Sequence, residues 1–314
     1  MNPLVFIHVP KTAGTSFRFG VDQLLGADRV VRDYGPQSPE TSSIVRDWVL
    51  NQRDLWQFRR EFDNGGYHFI TGHFNAQRYV PAFGVQRCFT FLRDPVQRVY
   101  SEYQHFVRNY EYKQDFPTFY RSAPFINRQL RMFDNVSWPA LGMIGFTEYY
   151  RESLEFVEAK FGLSVPLLEE NRGRDNVREY EIPADQLEEV KKINQRDIRF
   201  YDAALEQFQW RCQLKNAGKT FTAGEVREVR DGKLYGWAAP ETGDAPAKIE
   251  ILVNGTVHAQ VFARLDRPGL RAQGVMRNGQ VGFVADLPRV ETGQEIVCRV
   301  ADTGQILPNT YQLV

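Results

Sequence analysis

The chain has 314 residues, of which 42% are hydrophobic, so it can bury a sizeable core in one large domain or two ordinary ones. Lys plus Arg and Asp plus Glu number 39 each, and this balance argues against nucleic acid or an anionic membrane surface as partner. No apolar run approaches the ~20 residues of a transmembrane helix, and the first predicted strand starts so early that no signal peptide is expected. Three separated cysteines, Cys88, Cys212 and Cys298, suggest buried reduced thiols, so we expect a cytoplasmic protein.

The first predicted strand, residues 4–9, is a mostly apolar, β-branched run of the kind found in buried parallel strands, and Pro10 ends it. A small-residue loop follows, and residues 17–25 are predicted to be helical. This order gathers unpaired backbone N–H groups and the positive end of a helix dipole at one point. We therefore predict an oxyanion site, formed by Lys11, Thr12, Ala13, Gly14, Thr15 and Ser16.

This loop differs from a Walker A loop, in which the lysine directly follows a glycine, because here Lys11 precedes Gly14. Pro-Lys-Thr-Ala-Gly-Thr-Ser, residues 10–16, resembles the 5′-phosphosulfate loop of sulfotransferases that use 3′-phosphoadenosine 5′-phosphosulfate (PAPS). The resemblance implies that these residues bind the phosphosulfate and that Lys11 is catalytic, since it neutralises charge on the departing PAP. The alternative is a tight strand-to-helix turn with a solvated lysine.

Residues 28–43 have the composition of a surface loop, and residues 44–62 have the apolar spacing of one helix. A second strand, residues 67–71, is followed by Gly72-His73-Phe74, and open α/β sheets place active-site groups just past such strand ends. The segment is similar to the region that supplies the catalytic base in the uronyl 2-O-sulfotransferase branch, which implies that His73 is the base. His68 and a purely structural role for His73 remain alternatives.

A third strand, residues 85–92, leads to Arg93, and Asp94 with Pro95 is typical of the start of a helix, predicted over residues 95–107. Residues 91–103 are similar to the 3′-phosphate-binding segment of sulfotransferases, which implies that Arg93 and Ser101 bind that phosphate. An ordinary helix cap with a surface arginine is the alternative.

Further along the chain, a strand is predicted at residues 143–146 and helices at residues 147–161 and 183–208. In the family that this chain resembles, a loop before the last helices closes over the adenine and 3′-phosphate. The resemblance makes Arg172 and Gly173 candidates for that contact, and a solvated basic turn is the alternative.

From about residue 220 the helical periodicity disappears, and short alternating runs separated by turns predict an antiparallel β-sandwich. Asn254-Gly255 between two such runs predicts a β-hairpin over residues 249–263. Gly236-Trp237-Ala238 and Asp266-Arg267-Pro268 resemble segments of β-sandwich modules that are appended to some bacterial glycosyltransferases and sulfotransferases. Trp237 is interpreted as a core residue or as a platform for a sugar.

The sequence thus predicts a P-loop-like α/β domain, residues 1–218, with a parallel sheet flanked by helices, and an all-β sandwich domain, residues 219–314. The resemblance implies an enzyme that transfers a sulfuryl group from PAPS to a hydroxyl of a carbohydrate or glycoconjugate. No metal is predicted, because no Asp/His cluster has metal-ligand spacing. A small-molecule kinase and a non-catalytic carbohydrate-binding protein remain alternatives, and the acceptor and oligomeric state are undetermined.

Overall fold

The computed structural model describes residues 2–167, 179–288 and 295–310. Its internal contacts divide the chain into two units, residues 1–136 with 141–201 and residues 137–140 with 202–314. The domain boundary predicted after residue 218 remains a prediction, because this division by contacts does not test it. None of the helices in the described part of the chain is both long and apolar enough to cross a membrane.

A five-stranded parallel sheet forms the first unit's centre. Its strands are β1 (Leu4–Ile7), β2 (Val30–Asp33), β3 (Phe69–Gly72), β4 (Cys88–Leu92) and β5 (Met143–Phe146). They lie in the order β2-β3-β1-β4-β5, and every residue of β1, β3 and β4 is buried, as expected for a parallel sheet covered on both faces. The predicted α/β fold with a parallel sheet is confirmed.

The edge strand β2 lies inside the stretch that was predicted to be a surface loop, so that prediction is wrong. The strand is short and carries two charged residues, which hides its apolar pattern. Asp33 is fully buried there because its carboxylate accepts hydrogen bonds from Arg78 Nη1 at 2.7 Å and Tyr79 Oη at 2.8 Å.

Helices and shorter turns connect these strands. The α-helices of the described part are α1 (Gly14–Leu25), α2 (Leu55–Asn64), α3 (Val80–Phe83), α4 (Pro95–Asn109), α5 (Phe116–Arg121), α6 (Arg128–Arg131), α7 (Tyr150–Phe161), α8 (Ala184–Ile193) and α9 (Gln195–Asn216), the last of which continues past residue 201 into the second unit. At the start of α4, the Asp94 carboxylate accepts a hydrogen bond from Gln97 N at 2.8 Å, which confirms the predicted cap.

The single helix predicted over residues 44–62 is wrong, because the structure divides it. A π-helical segment, Val45–Asn51, comes first, and Arg53 then adopts a left-handed φ of 56°. Asp54 caps the new helix α2 by accepting a hydrogen bond from Gln57 N at 2.8 Å. The break places Arg53 on an exposed turn.

An aromatic cluster fixes α1 to the sheet. Phe17 of α1 lies 4.7 Å from Phe6 of β1 and 5.0 Å from Phe91 of β4, measured between ring centroids, and all three side chains are buried. Burial of each large apolar side chain contributes roughly 1.5–3 kcal/mol, so the loop between β1 and α1 is held between two rigid elements.

The second unit contains two antiparallel sheets, of four and three strands. Their strands are β6 (Thr222–Arg230), β7 (Lys233–Pro240), β8 (Lys248–Val253), β9 (Thr256–Phe262), β10 (Leu265–Asp266), β11 (Gln280–Asp286) and β12 (Ile296–Val300), with a short helix α10 (Pro268–Ala272). Strands β8 and β9 are joined by Asn254 and Gly255, both with positive φ, so the predicted hairpin is confirmed. Buried residues from both sheets form one apolar core.

Trp237 is a core residue and not a sugar platform, since it is fully buried. Its indole Nε1 donates a hydrogen bond to the Glu225 carboxylate at 2.7 Å. The same carboxylate accepts hydrogen bonds from Ser137 Oγ at 2.6 Å and Thr310 Oγ1 at 2.5 Å. This buried acid therefore fastens segment 137–140 within the second unit.

No disulfide links the three cysteines. Cys88 and Cys298 are buried, and burial raises the pKa of the Cys298 thiol to about 12. Cys212 is half-buried. Because only the thiolate is a strong nucleophile, Cys298 is a packing residue at neutral pH. The prediction of buried thiols is confirmed for Cys88 and Cys298 and is wrong for Cys212.

Candidate functional site

The predicted anion loop lies between β1 and α1. Lys11 and Ala13 both have positive φ, 71° and 65°, and the buried Thr12 donates its hydroxyl to the Val9 carbonyl at 2.8 Å. These features turn the chain sharply into α1, whose N-cap residue Ala13 offers no side-chain cap. The N–H groups of the first helical turn have no intrahelical partner and can therefore bind an anion.

The other loop residues surround this helix start. Gly14 and Ser16 are buried, Thr15 is exposed, and Lys11 is half-buried. All six residues predicted for the anion site thus lie on one short segment at the carboxyl end of a central strand.

Gly14 is required by a close contact with the ring of His8. A Cβ added at residue 14 would lie 2.1 Å from His8 Cδ2, far inside van der Waals contact. The ring cannot easily move, because it is buried and stacks on Phe6 with 5.8 Å between the centroids. The glycine of the sequence motif at this position is therefore required by packing against His8.

We expect Gly14→Ala to lower the free energy of unfolding by about 1–3 kcal/mol, the usual effect of forcing extra atoms into a packed site. Chemical denaturation measures the change. The matched control is Gly269→Ala, since a Cβ there meets no atom within 4 Å. Equal stability of the two variants would show that the His8 ring can move aside to accommodate the added Cβ.

Arg93 joins the second predicted motif to the first. It follows β4, is only 8% exposed, and donates from Nη1 to the Lys11 carbonyl oxygen at 3.4 Å. Its guanidinium also lies 5.7 Å from the centre of the Tyr180 ring. The structure thus brings Arg93 and the anion loop together.

A buried glutamine clamps the backbone of Arg93. Gln129 Oε1 accepts from Arg93 N at 3.1 Å, and Gln129 Nε2 donates to the Arg93 carbonyl at 2.9 Å. Gln129 is itself fixed, because its backbone N–H donates to the buried Asp197 carboxylate at 3.0 Å. The sequence analysis missed Gln129, since nothing local connects it to a residue 36 positions earlier.

Ser101 lies on α4, two helical turns after Arg93, and is 4% exposed. Among the described residues its hydroxyl has no hydrogen-bond partner. The structure places it on the helix that Arg93 precedes. The candidates Arg172 and Gly173 lie outside the described residues.

His73 follows β3 directly, as predicted. Its Nδ1 lies 2.7 Å from the His8 carbonyl oxygen, and its backbone N–H donates to the Asp33 carbonyl at 2.9 Å. A carbonyl oxygen only accepts hydrogen bonds, so Nδ1 must carry the proton in the neutral ring. Nε2 is then the unprotonated nitrogen, which can accept a proton from a bound molecule.

The environment of His73 favours its neutral form. Surrounding protein lowers the pKa of His73 by desolvation, and the positive charge of Arg128 acts in the same direction. The hydrogen bond to the His8 carbonyl opposes these two effects. The side chain is still exposed to solvent, which limits how far its pKa can fall.

His68, the alternative base, lies at the other end of β3. Leu4 N donates to the His68 carbonyl where β1 begins, whereas His73 follows the end of β3. Five residues of extended chain separate the two histidines by roughly 16 Å. The geometry therefore favours His73 as the residue near the anion loop.

A cavity of about 460 Å³ opens beside His73. It is lined by His73, Phe74, Asn75, Pro124, Arg128, Arg131, Met132 and Asp134. Its volume is in the range of small-molecule sites, and its walls combine apolar surface with charged groups. We call it the His73 cleft.

A buried ionic network supports one wall of the His73 cleft. Glu102 of α4 is 2% exposed, accepts from Arg98 Nη1 at 2.6 Å and also pairs with Arg128. Arg98 is fully buried and donates in addition to the Phe125 carbonyl at 3.3 Å. Glu102 therefore balances two arginines, one of which lines the cleft.

No group of three or more His, Cys, Asp or Glu residues within the described ranges could hold a metal ion. The candidate site is instead built from neutral imidazole, cationic side chains and backbone N–H groups. Such a set can bind an anionic donor, remove a proton from a nucleophile and neutralise a leaving group.

No family model matches the chain. Among curated proteins, heparan-sulfate 6-O-sulfotransferase 1 of Homo sapiens is 24% identical over 283 residues, covering 68% of this chain and 67% of the relative. Heparan-sulfate 6-O-sulfotransferase 2 of Danio rerio is 24% identical over 311 residues, covering 74% and 64% respectively. The curated proteins that this chain matches are therefore sulfotransferases.

A solved sulfotransferase from Alicyclobacillus acidocaldarius is 20% identical, with a TM-score of 0.36, and the match covers 63% of this chain and 93% of that one. The matches to the curated sulfotransferases span about two thirds of their length. They support the predicted resemblance at the level of sulfotransferases. These relatives are named 6-O enzymes, and the predicted 2-O branch remains a prediction.

Proposed function

We propose that this chain transfers a sulfuryl group from PAPS to a hydroxyl of a carbohydrate or glycoconjugate and releases PAP. The observation that carries the proposal is the contact between Arg93 and the Lys11 carbonyl, because it joins two motifs that each resemble an anion-binding segment. The names of the curated relatives, which are heparan-sulfate sulfotransferases, support a carbohydrate acceptor.

PAPS carries its sulfuryl group on the oxygen of the 5′-phosphate, and PAP is the leaving group. In the proposed reaction, His73 Nε2 takes the proton of the acceptor hydroxyl while that oxygen bonds to sulfur and the bond from sulfur to the 5′-phosphate oxygen breaks. Lys11 and the first N–H groups of α1 neutralise the charge that this oxygen gains. Sulfuryl transfer, like phosphoryl transfer, has a loose in-line transition state, so positioning and charge stabilisation supply most of the catalysis.

A donor assay tests the proposal. We expect transfer of label from PAPS to a glycan panel without Mg²⁺, and no phosphoryl transfer from ATP with Mg²⁺. The opposite result would assign a kinase activity. Binding of glycans without any transfer would make the chain a carbohydrate-binding protein.

Arg93→Ala should weaken PAP binding about 10–100-fold, since charge-assisted hydrogen bonds contribute roughly 1.5–3 kcal/mol each. Calorimetry measures the change. Adenosine 5′-monophosphate, which lacks the 3′-phosphate, is the control ligand, and its affinity should change little. An equal loss for both nucleotides would mean that Arg93 supports the loop through Lys11 and does not bind the 3′-phosphate.

We propose that residues 219–314 form an accessory β-sandwich domain. The two antiparallel sheets that share one apolar core support this assignment. The residues proposed for the reaction all belong to the first unit, so the accessory domain acts on acceptor binding or assembly and not on the transfer step.

A further inference from the structure

A second cavity, of about 530 Å³, lies in the first unit near the His73 cleft. It is lined by Val49, Leu50, Arg53, Leu55, Asn75, Gln77 and Arg78. We call it the Arg53 cavity. Its walls combine an apolar patch from the π-helical segment and the start of α2 with two arginines and two amides.

Asn75 lines both cavities and is fixed between them. Its Nδ2 donates to the Arg131 carbonyl at 2.9 Å, on the side of the His73 cleft. Its Oδ1 accepts from Gln77 N at 2.9 Å, on the side of the Arg53 cavity. The two cavities therefore adjoin at Asn75, only two residues from His73.

Arg53 provides an available positive charge in this cavity. It is exposed, and within the described ranges it forms no hydrogen bond or ion pair. The neighbouring Asp54 carboxylate is engaged by Gln57 N at the start of α2. Arg53 has a left-handed φ of 56°, a conformation that costs a non-glycine residue energy and is enriched at ligand-binding positions.

Arg78 adds a second, fixed cation. Its Nη1 donates to the buried Asp33 carboxylate at 2.7 Å, and 35% of its side chain remains exposed. Asp33 also accepts from His73 N through its carbonyl, so the position of Arg78 is coupled to that of the proposed base. A guanidinium fixed in this way can form hydrogen bonds with a carboxylate or sulfate group.

We propose that the Arg53 cavity is a second acceptor subsite, which binds a carboxylate- or sulfate-bearing sugar of the same glycan whose hydroxyl lies in the His73 cleft. This inference rests on the proposed sulfuryl transfer and adds that the acceptor is an acidic chain of several sugars. Apolar surface from Val49, Leu50 and Leu55 would contact the sugar ring, and Arg53 would bind its acidic group.

The test uses the 314-residue chain and heparin-derived oligosaccharides of two and eight sugars from which both the 2-O- and the 6-O-sulfate groups have been removed, so that either hydroxyl can accept the sulfuryl group. Arg53→Gln removes the charge and keeps a side chain of similar length. The matched control is Arg60→Gln, an exposed arginine of α2 that lines neither cavity. Turnover with PAPS and binding to the PAP-saturated protein are both measured.

We expect the wild-type protein to bind the octasaccharide more tightly than the disaccharide. Arg53→Gln should raise KM for the octasaccharide about tenfold with kcat and PAP affinity unchanged, and should leave the disaccharide unaffected. Arg60→Gln should behave as wild type. Turnover by the wild type with identical octasaccharide KM values in both variants would overturn the subsite alone. Absence of turnover with these oligosaccharides, but turnover with another glycan of the panel, would overturn the acidic acceptor, and absence of turnover with every glycan would overturn the proposed function as well.

Discussion

His73→Ala should lose about 10²–10⁴-fold in turnover and keep its affinity for PAP, because in the proposed reaction His73 is the general base and not a nucleotide ligand. The structure gives the reason at the atomic level. The His8 carbonyl accepts a hydrogen bond from His73 Nδ1–H, so Nε2 is the unprotonated nitrogen of the neutral ring. Turnover measured with labelled PAPS, together with calorimetry of PAP binding, separates the two effects.

His68→Ala is the matched control, since it removes a histidine from the opposite end of the same strand. Its turnover should be close to that of the wild type. Near-normal turnover of His73→Ala with collapse in the control would move the role to His68. Near-normal turnover in both would point to a carboxylate base.

The same assignment fixes the sign of the pH dependence. The proposed base accepts a proton only when it is neutral, and its environment lowers the pKa of His73 below the ordinary value of about 6.5. Activity should therefore be full at neutral pH and fall as the pH drops through the lowered pKa. A profile of kcat/KM whose acid limb has its midpoint above 6.5 would contradict the assignment.

Glu102→Ala should lower the free energy of unfolding by about 3–5 kcal/mol, because it leaves the fully buried Arg98 without its anionic partner. For a domain of this size the melting temperature should fall by roughly 10 °C. Calorimetry measures the transition. Arg128 would lose the same partner, so the cleft wall would be disturbed too.

Glu158→Ala provides the comparison for Glu102, since this glutamate is exposed on α7. Surface changes of that kind usually stay within about 0.5 kcal/mol. If both variants melted together, the Arg98 charge would have found water or another acceptor. That outcome would show that the network of Glu102, Arg98 and Arg128 does not stabilise the wall of the His73 cleft.

The fold was predictable where the signal is local. The strands β1, β3, β4 and β5 contain no charged residue and are mostly apolar. The helix cap at Asp94 and the hairpin turn at Asn254-Gly255 each depend only on residues next to them in sequence. Strand β2 was not predictable, since burial of Asp33 depends on an ion pair with Arg78 and a hydrogen bond from Tyr79, which are 45 and 46 residues away.

The same contrast holds for the candidate site. Lys11, His73 and Arg93 each follow a strand and carry a local motif, so their common location follows once the strands are parallel. Gln129 and Glu102 were not predicted, because their roles depend on where α4 and α6 lie in the folded chain. The Arg53 cavity depends on a helix break that the apolar spacing of residues 44–62 conceals.

Segment 137–140 has a consequence for synthesis on the ribosome. Ser137 binds Glu225, which is 88 residues later in the chain, and Trp138 is 94% inaccessible in the finished protein. At about 5–20 residues per second, roughly 4–18 seconds pass before that partner is made. During this interval the tryptophan lacks its final surroundings, so the nascent chain carries an apolar segment that a chaperone can bind.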